Sequence, residues 1–225
     1  MALKVNQIKV AVIDDDESAR KSLTRLVKAA GIDAIAFPSA REFLEDPVRD
    51  QFDCAVTDVR MPGVDGFKLQ ETLTQTLPHL LLVFITGHGD VPMSVRAMKK
   101  GAVDFLEKPV DDGALIDAIR RAAARSRELR TESGELEQLR RKYDVLTPRQ
   151  REVFALVVAG LLNKQSGAHL NITEKTVKVH RARIMEQMGA DSLPDLVRMG
   201  TRLGIRLPEA DYSAAKGKLD SRTRA

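Results

Sequence analysis

The stretch KVAVIDDDES, residues 9–18, decides the fold. Val10 to Ile13 form a continuously apolar run that ends in three adjacent carboxylates, Asp14, Asp15 and Asp16. Like charges about 4 Å apart repel by about 1 kcal/mol in water and by several at lower dielectric. A buried strand that ends in such a cluster needs a cation or a proton to neutralise it. Alternatively, the three aspartates form a helix N-cap cluster, which the positive end of the helix dipole favours.

Four more apolar runs follow: DAIAF (33–37), CAVTD (54–58), LLVFIT (81–86) and VDFLE (103–107). Like the first, they are continuous rather than alternating, the pattern of strands covered on both faces. Helical periodicity lies between them, over about 17–30, 39–46, the residues after Asp65, about 91–100, and from near Asp111 onward. Five strands alternating with five helices predict an α/β unit with a doubly wound parallel sheet. In such a sheet ligands bind beyond the carboxyl ends of the strands, where strand order reverses. With the order 2-1-3-4-5, strands 1 and 3 are neighbours, and Asp14 and Asp15 meet Asp58 at that point. An all-oxygen carboxylate cluster suits a hard dication, Mg²⁺ in the first instance. A carboxylate beside Mg²⁺ can attack phosphorus, because the metal offsets the charge on the phosphoryl oxygens. Thr86, at the end of strand 4, adds a hydroxyl. Lys108, after strand 5, adds a point charge for a phosphoryl oxygen.

Composition bounds the remaining possibilities. A chain of 225 residues, 43% hydrophobic and 30% charged, suits one large or two small soluble domains. The longest apolar stretch, LLLVFI at 80–85, is far too short to span a bilayer, so no membrane association is expected. The N-terminus carries no signal-peptide pattern, and the single cysteine, Cys54, rules out an internal disulfide. Both point to a cytoplasmic protein, with Cys54 a small core residue. Charge is uneven: from Asp144 onward 14 Lys/Arg face 9 Asp/Glu, whereas residues 1–143 carry a net charge of −1. A basic C-terminal half hints at nucleic acid. There is no Gly-rich phosphate loop and no zinc-like Cys/His spacing, and His79, His88, His169 and His180 are scattered.

The second half is helical in short pieces. Residues 126–144 are almost all charged or polar and read as a helical linker, weakened at Gly134. Thr147, Pro148 and Gln150 form a capping-box signature for a helix that stops at Gly160. A short helix, NKQSGAHL, precedes a third that is capped by Thr173 and stopped by Gly189, with Val177, Ile184 and Met188 at core spacing. A fourth begins after Ser192. These final helices read as a helix-turn-helix unit. Lys175, Lys178, Arg181 and Arg183 lie around the third helix, and Thr173 and Thr176 at its start suit phosphate contact. Lys178 and Val179 would face base edges in the major groove. The plain alternative is a solvated basic helix. The tail after Pro208 is small and charged and is expected to be disordered.

The motifs VIDDDES, VTDVRMPGVDGF and FITGHGDVPMSVRAMKKGAVDFLEKP resemble the receiver domain of two-component response regulators, over residues 8 to about 125. This implies Asp58 as acceptor of a phosphoryl group from a sensor histidine kinase. It implies Asp14, Asp15, Asp58 and the Arg60 backbone carbonyl as the Mg²⁺ site, and Thr86 and Lys108 at the phosphoryl group. Phe105 would be the aromatic switch, although its sequence context fits core packing equally well. Lys108–Pro109 would be a cis peptide. A phosphatase of the haloacid-dehalogenase type would need a second Asp two residues after the first, and Arg60 stands there. Residues 145 to about 205 resemble the LuxR-type helix-turn-helix of the FixJ/NarL response regulators. That implies contact with double-stranded DNA by Asn163, Lys164, Thr173, Thr176, Lys178, Val179 and Arg181, and a homodimer on phosphorylation. Ser166–Gly167 depart from the apolar residue and Ala usual there, and predict a loosely held second helix. That departure, and Ala182 in place of a basic residue, leave a second reading in which the C-terminal half binds a protein partner. The domains expected are a receiver over 1–125, a linker over 126–144, a DNA-binding domain over 145–207 and a tail over 208–225.

Overall fold

The computed structural model describes residues 7–87 and 90–207. His88 and the tail from Pro208 lie outside the described residues. The chain divides into two compact units between Thr131 and Glu132.

In the first unit five strands, β1 (Lys9–Ile13), β2 (Asp33–Phe37), β3 (Cys54–Asp58), β4 (Leu81–Thr86) and β5 (Asp104–Glu107), form one sheet. The order is β2-β1-β3-β4-β5, and every pairing is parallel. The helices are α1 (Glu17–Ala29), α2 (Ala40–Glu45), α3 (Gly66–Thr76), α4 (Val91–Lys99) and the first part of α5 (Asp112–Asp144).

The continuous apolar runs are explained by burial on both faces. Along β1, Ala11 and Ile13 point into a core with Phe43, Phe52, Phe84, Leu69 and Leu73. Val10 and Val12 point the other way, towards Val27, Leu115, Ile119 and Ala122. Successive strand residues face opposite sides, so neither face of β1 can be polar. Cys54 is fully buried, and desolvation raises its thiol pKa far above the ordinary value, which keeps it an inert core residue.

Each helix start has a carboxylate or hydroxyl cap where the sequence offers one. Asp16, Ser39, Asp65 and Asp90 accept from the third backbone N–H of α1, α2, α3 and α4. Asp16 is therefore spent on Ala19 N at 2.7 Å.

The second unit holds the last part of α5 with α6 (Pro148–Val158), α7 (Asn163–Leu170), α8 (Glu174–Met188) and α9 (Leu193–Arg202). Their shared core contains Leu139, Leu146, Val153, Phe154, Val177, Ile184, Met188 and Leu196. The capping box of α6 is formed by Thr147 and Gln150.

Two expectations differ from the structure. Residues 126–144 are not a separate linker. They continue α5 without a break, and Gly134 is tolerated inside it. Ser126 is buried, Arg127 pairs with Asp53 at 3.1 Å, and Arg130 donates to the Phe52 carbonyl at 2.5 Å. This stretch therefore belongs to the first unit as far as Thr131. The second difference is at α7, which is not loosely held. Ser166 and Gly167 are both buried, and Gly167 O accepts from Ile172 N at 2.9 Å. A Cβ at Gly167 would sit 2.8 Å from the Ile172 carbonyl oxygen, closer than real contacts allow. The glycine is there because the turn into α8 crosses it at backbone distance.

Candidate functional site

The acidic site is assembled from four strand ends and held by backbone packing. β1 and β3 are hydrogen-bonded neighbours with Ile13 opposite Thr57, so Asp14 and Asp58 emerge side by side. Asp14, Asp15 and Asp58 each offer a carboxylate oxygen, and these oxygens lie within 4.8 Å of one another. Asp14 is 1% exposed; Asp15 is exposed and Asp58 half-buried. Burial pushes the Asp14 carboxyl above the ordinary carboxylate range, against the lowering effect of Lys108.

Lys108 Nζ reaches across from the end of β5 to Asp14 Oδ2 at 2.7 Å and Asp58 Oδ2 at 3.1 Å. Burial alone would lower the lysine pKa, but the hydrogen bonds and charges of the two aspartates outweigh it and raise it, so the ammonium stays charged. The Lys108 N–H donates to Thr86 O at 2.8 Å, and the Lys108–Pro109 peptide is cis. Thr86 is 1% exposed at the end of β4. Arg60 N donates to Asp58 Oδ1 at 3.3 Å. Phe105 is half-buried and packs against Phe84, ring centroids 6.1 Å apart. The sequence-predicted residues Asp14, Asp15, Asp58, Arg60, Thr86 and Lys108 thus occupy one end of the sheet. The donor set is all oxygen and includes one carboxylate shielded from water. It fits a hard dication.

Gly66 is a residue that sequence reasoning missed. Its N–H donates to Val59 O at 3.0 Å, and a Cβ there would overlap the Asp58 carbonyl oxygen and crowd Phe84. Gly66 lets α3 press on the backbone that carries Asp58. The signal was present in VDGF, where Asp65 announces a helix and a glycine occupies its first position.

In the second unit the predicted DNA-facing residues lie on α7 and α8. Thr173 caps α8 and shares a 2.8 Å hydroxyl contact with Thr176. Lys178 pairs with Glu174 at 3.0 Å, Val179 is 45% exposed, and Lys164 is exposed. Arg181 donates to Asn163 Oδ1, which ties α8 to the start of α7. Val177, Ile184 and Met188 are buried, so the opposite side of α8 is the free one.

A five-stranded parallel sheet with three carboxylates and a lysine at its carboxyl end, joined to a small helical unit with a basic exposed helix, defines a class of signalling protein. The response regulator receiver domain family matches residues 10–120, and the luxR family of bacterial regulatory proteins matches residues 144–200. Nodulation protein W of Bradyrhizobium diazoefficiens is 46% identical over 196 residues, covering 87% of this chain and 86% of that protein. The transcriptional regulatory protein FixJ of Azorhizobium caulinodans is 43% identical, covering 87% and 93%. The structure of response regulator StyR superposes with a TM-score of 0.73 at 43% identity, covering 87% of this chain and 99% of StyR. Full-length FixJ from B. japonicum gives 0.52 at 38% identity, covering 88% and 98%. The chain belongs to the DNA-binding two-component response regulators, with a receiver domain and a LuxR-type helix-turn-helix. These are transcriptional regulators and not enzymes, and the reading of the C-terminal half as a protein-binding module is set aside. Among the described residues no helix is long and apolar enough to cross a membrane.

Proposed function

We propose that Asp58 accepts a phosphoryl group from a phosphohistidine of a cytoplasmic phosphorelay. An Asp58 carboxylate oxygen attacks phosphorus. The P–O bond forms as the P–N bond breaks, and the electron pair remains on the imidazole nitrogen. Asp14, Asp15, Asp58 and the Arg60 carbonyl would hold Mg²⁺, which neutralises phosphoryl oxygens that would otherwise repel the carboxylate. Lys108, held between two aspartates, is placed to follow the charge when it moves onto the phosphoryl oxygens. Thr86, at the end of β4, and Phe105, within the neighbouring β5, are the residues whose rearrangement would pass the change on. A tenfold shift towards the active state needs about 1.4 kcal/mol of differential stabilisation.

The observation that carries this reading is the Lys108 ammonium bridging Asp14 and Asp58 beside a third carboxylate. Incubation with acetyl phosphate and Mg²⁺ is expected to add one base-labile phosphoryl group, seen by intact mass. Asp58→Asn is expected to keep the fold and lose the label; a label that persists places the acceptor elsewhere.

We further infer that phosphorylation leads to a homodimer through α4. Val91, Val95 and Met98, spaced by four and three residues on one helix face, are 75%, 44% and 46% exposed. Three large apolar side chains in a row suit a partner surface more than water. Thr173, Thr176, Lys178, Val179 and Arg181 of α8, with Asn163 and Lys164 of α7, would then meet double-stranded DNA. Arg181 and Asn163 would do so as a mutually oriented pair.

A further inference from the structure

The luxR-family match begins at residue 144, yet the DNA-binding unit begins earlier. The last three turns of α5 pack into it. Leu139 is 7% exposed in the same core as Val153, Phe154 and Ile184. The Tyr143 ring lies 5.8 Å from Phe154, with the Arg151 guanidinium 5.3 Å from its centroid. Glu135 pairs with Arg202 of α9 at 2.9 Å. Lys142 does something different: its Nζ donates to the carbonyl of Met188 at 3.0 Å. Met188 is the last residue of α8, and Gly189 follows in the left-handed conformation at φ +69°. The ammonium lies so close that a Cβ on Gly189 would stand 2.9 Å from it.

A helix C-terminus leaves carbonyls without intrahelical partners and carries partial negative charge, so a cation there both fills a hydrogen bond and matches the dipole. α8 has no basic residue of its own in its last turn. The cation comes from α5. At its other end α8 follows the Gly167–Ile172 turn, and at mid-helix Arg181 bonds Asn163. The chain that follows caps the Glu186 and Met185 carbonyls through the Gly189 and Ala190 N–H groups, and Lys142 adds a side chain from another helix at the Met188 carbonyl.

We infer that Lys142 is a positioning residue for sequence-specific DNA recognition, and that the end of α5 is a fifth helix of the DNA-binding unit, setting the pose of α8 through it. This deepens the DNA-binding reading and rests on α8 as the reading helix. Lys142 itself touches no base. A shift of the end of α5 would reach α8 through this ammonium–carbonyl contact as well as through the shared apolar core.

The test uses the full chain and two probes: duplexes enriched from a random-sequence library by the unsubstituted protein, and the unselected mixed-sequence library. Lys142→Met keeps the stem and removes the charge. It is expected to weaken binding to the enriched duplexes by about three- to tenfold. Binding to the mixed library and the slope of log K against log salt should stay as they were, and Lys142→Arg should restore affinity. A loss equal on both probes with the salt slope reduced by about one would make Lys142 a phosphate contact and overturn the inference. Unchanged affinity on both probes would reduce it to a helix cap and also overturn it. If the unsubstituted protein enriches no sequence, the assignment of α8 as reader fails first, and the inference falls with it.

Discussion

At the level of single residues the triple aspartate resolves into three different groups. Asp14 is buried against Lys108, Asp15 is exposed beside it, and Asp16 is the cap of α1. Asp16→Ala removes the acceptor for Ala19 N, at a cost of about 0.5–2 kcal/mol in stability. It is expected to leave Mg²⁺ affinity nearly unchanged, whereas Asp15→Ala removes a proposed metal oxygen and is expected to lose most of it; titration of each variant with Mg²⁺ compares them. Equal losses would contradict the division of roles. His79 makes a second residue-scale case. It is half-buried beside Arg130, with a contact to the Asp50 backbone, and burial followed by the arginine charge lowers its pKa. A lowered folded value means that the unfolded chain binds the proton first. The stability from this group is fully present above about pH 6.5 and is lost as pH falls towards the folded value. His79→Gln is expected to flatten that stretch of the urea-midpoint profile of the receiver transition, and an unchanged profile would show that another group titrates.

At the level of elements, the strands were legible because burial on both faces forces continuous apolar runs, and four of the five runs, all but β2, end at or beside candidate site residues. Helix starts were legible because Thr147, Thr173 and Ser192 are local signals that need no tertiary context. The continuity of α5 was not legible. Its polar middle, with Gly134, has weak local propensity, and the contacts that hold its two ends, Arg127 to Asp53 and Lys142 to Met188, join residues 74 and 46 positions apart. The roles of Gly66 and Gly167 were hard to read for the same reason: a missing side chain says nothing of the backbone it admits. The α7 turn offers a direct check. Ser166 Oγ is buried and without a hydrogen-bond partner among the described residues, so Ser166→Ala is expected to stabilise the helical unit by about 1 kcal/mol. Gly167→Ala forces a methyl against the Ile172 carbonyl and is expected to destabilise it by about 1–3 kcal/mol. Thermal unfolding of the two variants is expected to move in opposite directions. A stabilising Gly167→Ala would mean that the turn relaxes freely.

At the scale of the whole molecule, the near-neutral first part and the basic second part divide the work on the proposed reading: one would take up a phosphoryl group, the other would attract a polyanion. Coupling between them need not create any new DNA contact. If two phosphorylated receivers pair, two DNA-binding units share one duplex, and the second binds at the high effective concentration set by the first. Such linkage can raise affinity by about 10²–10⁴. The exposed α4 row is then where the gain is made. Val95→Glu places a carboxylate in the middle of that row while leaving Asp58 and Lys108 untouched. The variant is expected to accept the phosphoryl group from acetyl phosphate as the unsubstituted chain does, but to sediment as a monomer. It is expected to lose the phosphorylation-dependent part of its DNA affinity and keep the basal part. A variant that still dimerises on phosphorylation would place the pairing surface elsewhere. One that stays monomeric yet keeps the full gain in DNA binding would show that the signal travels within a single chain.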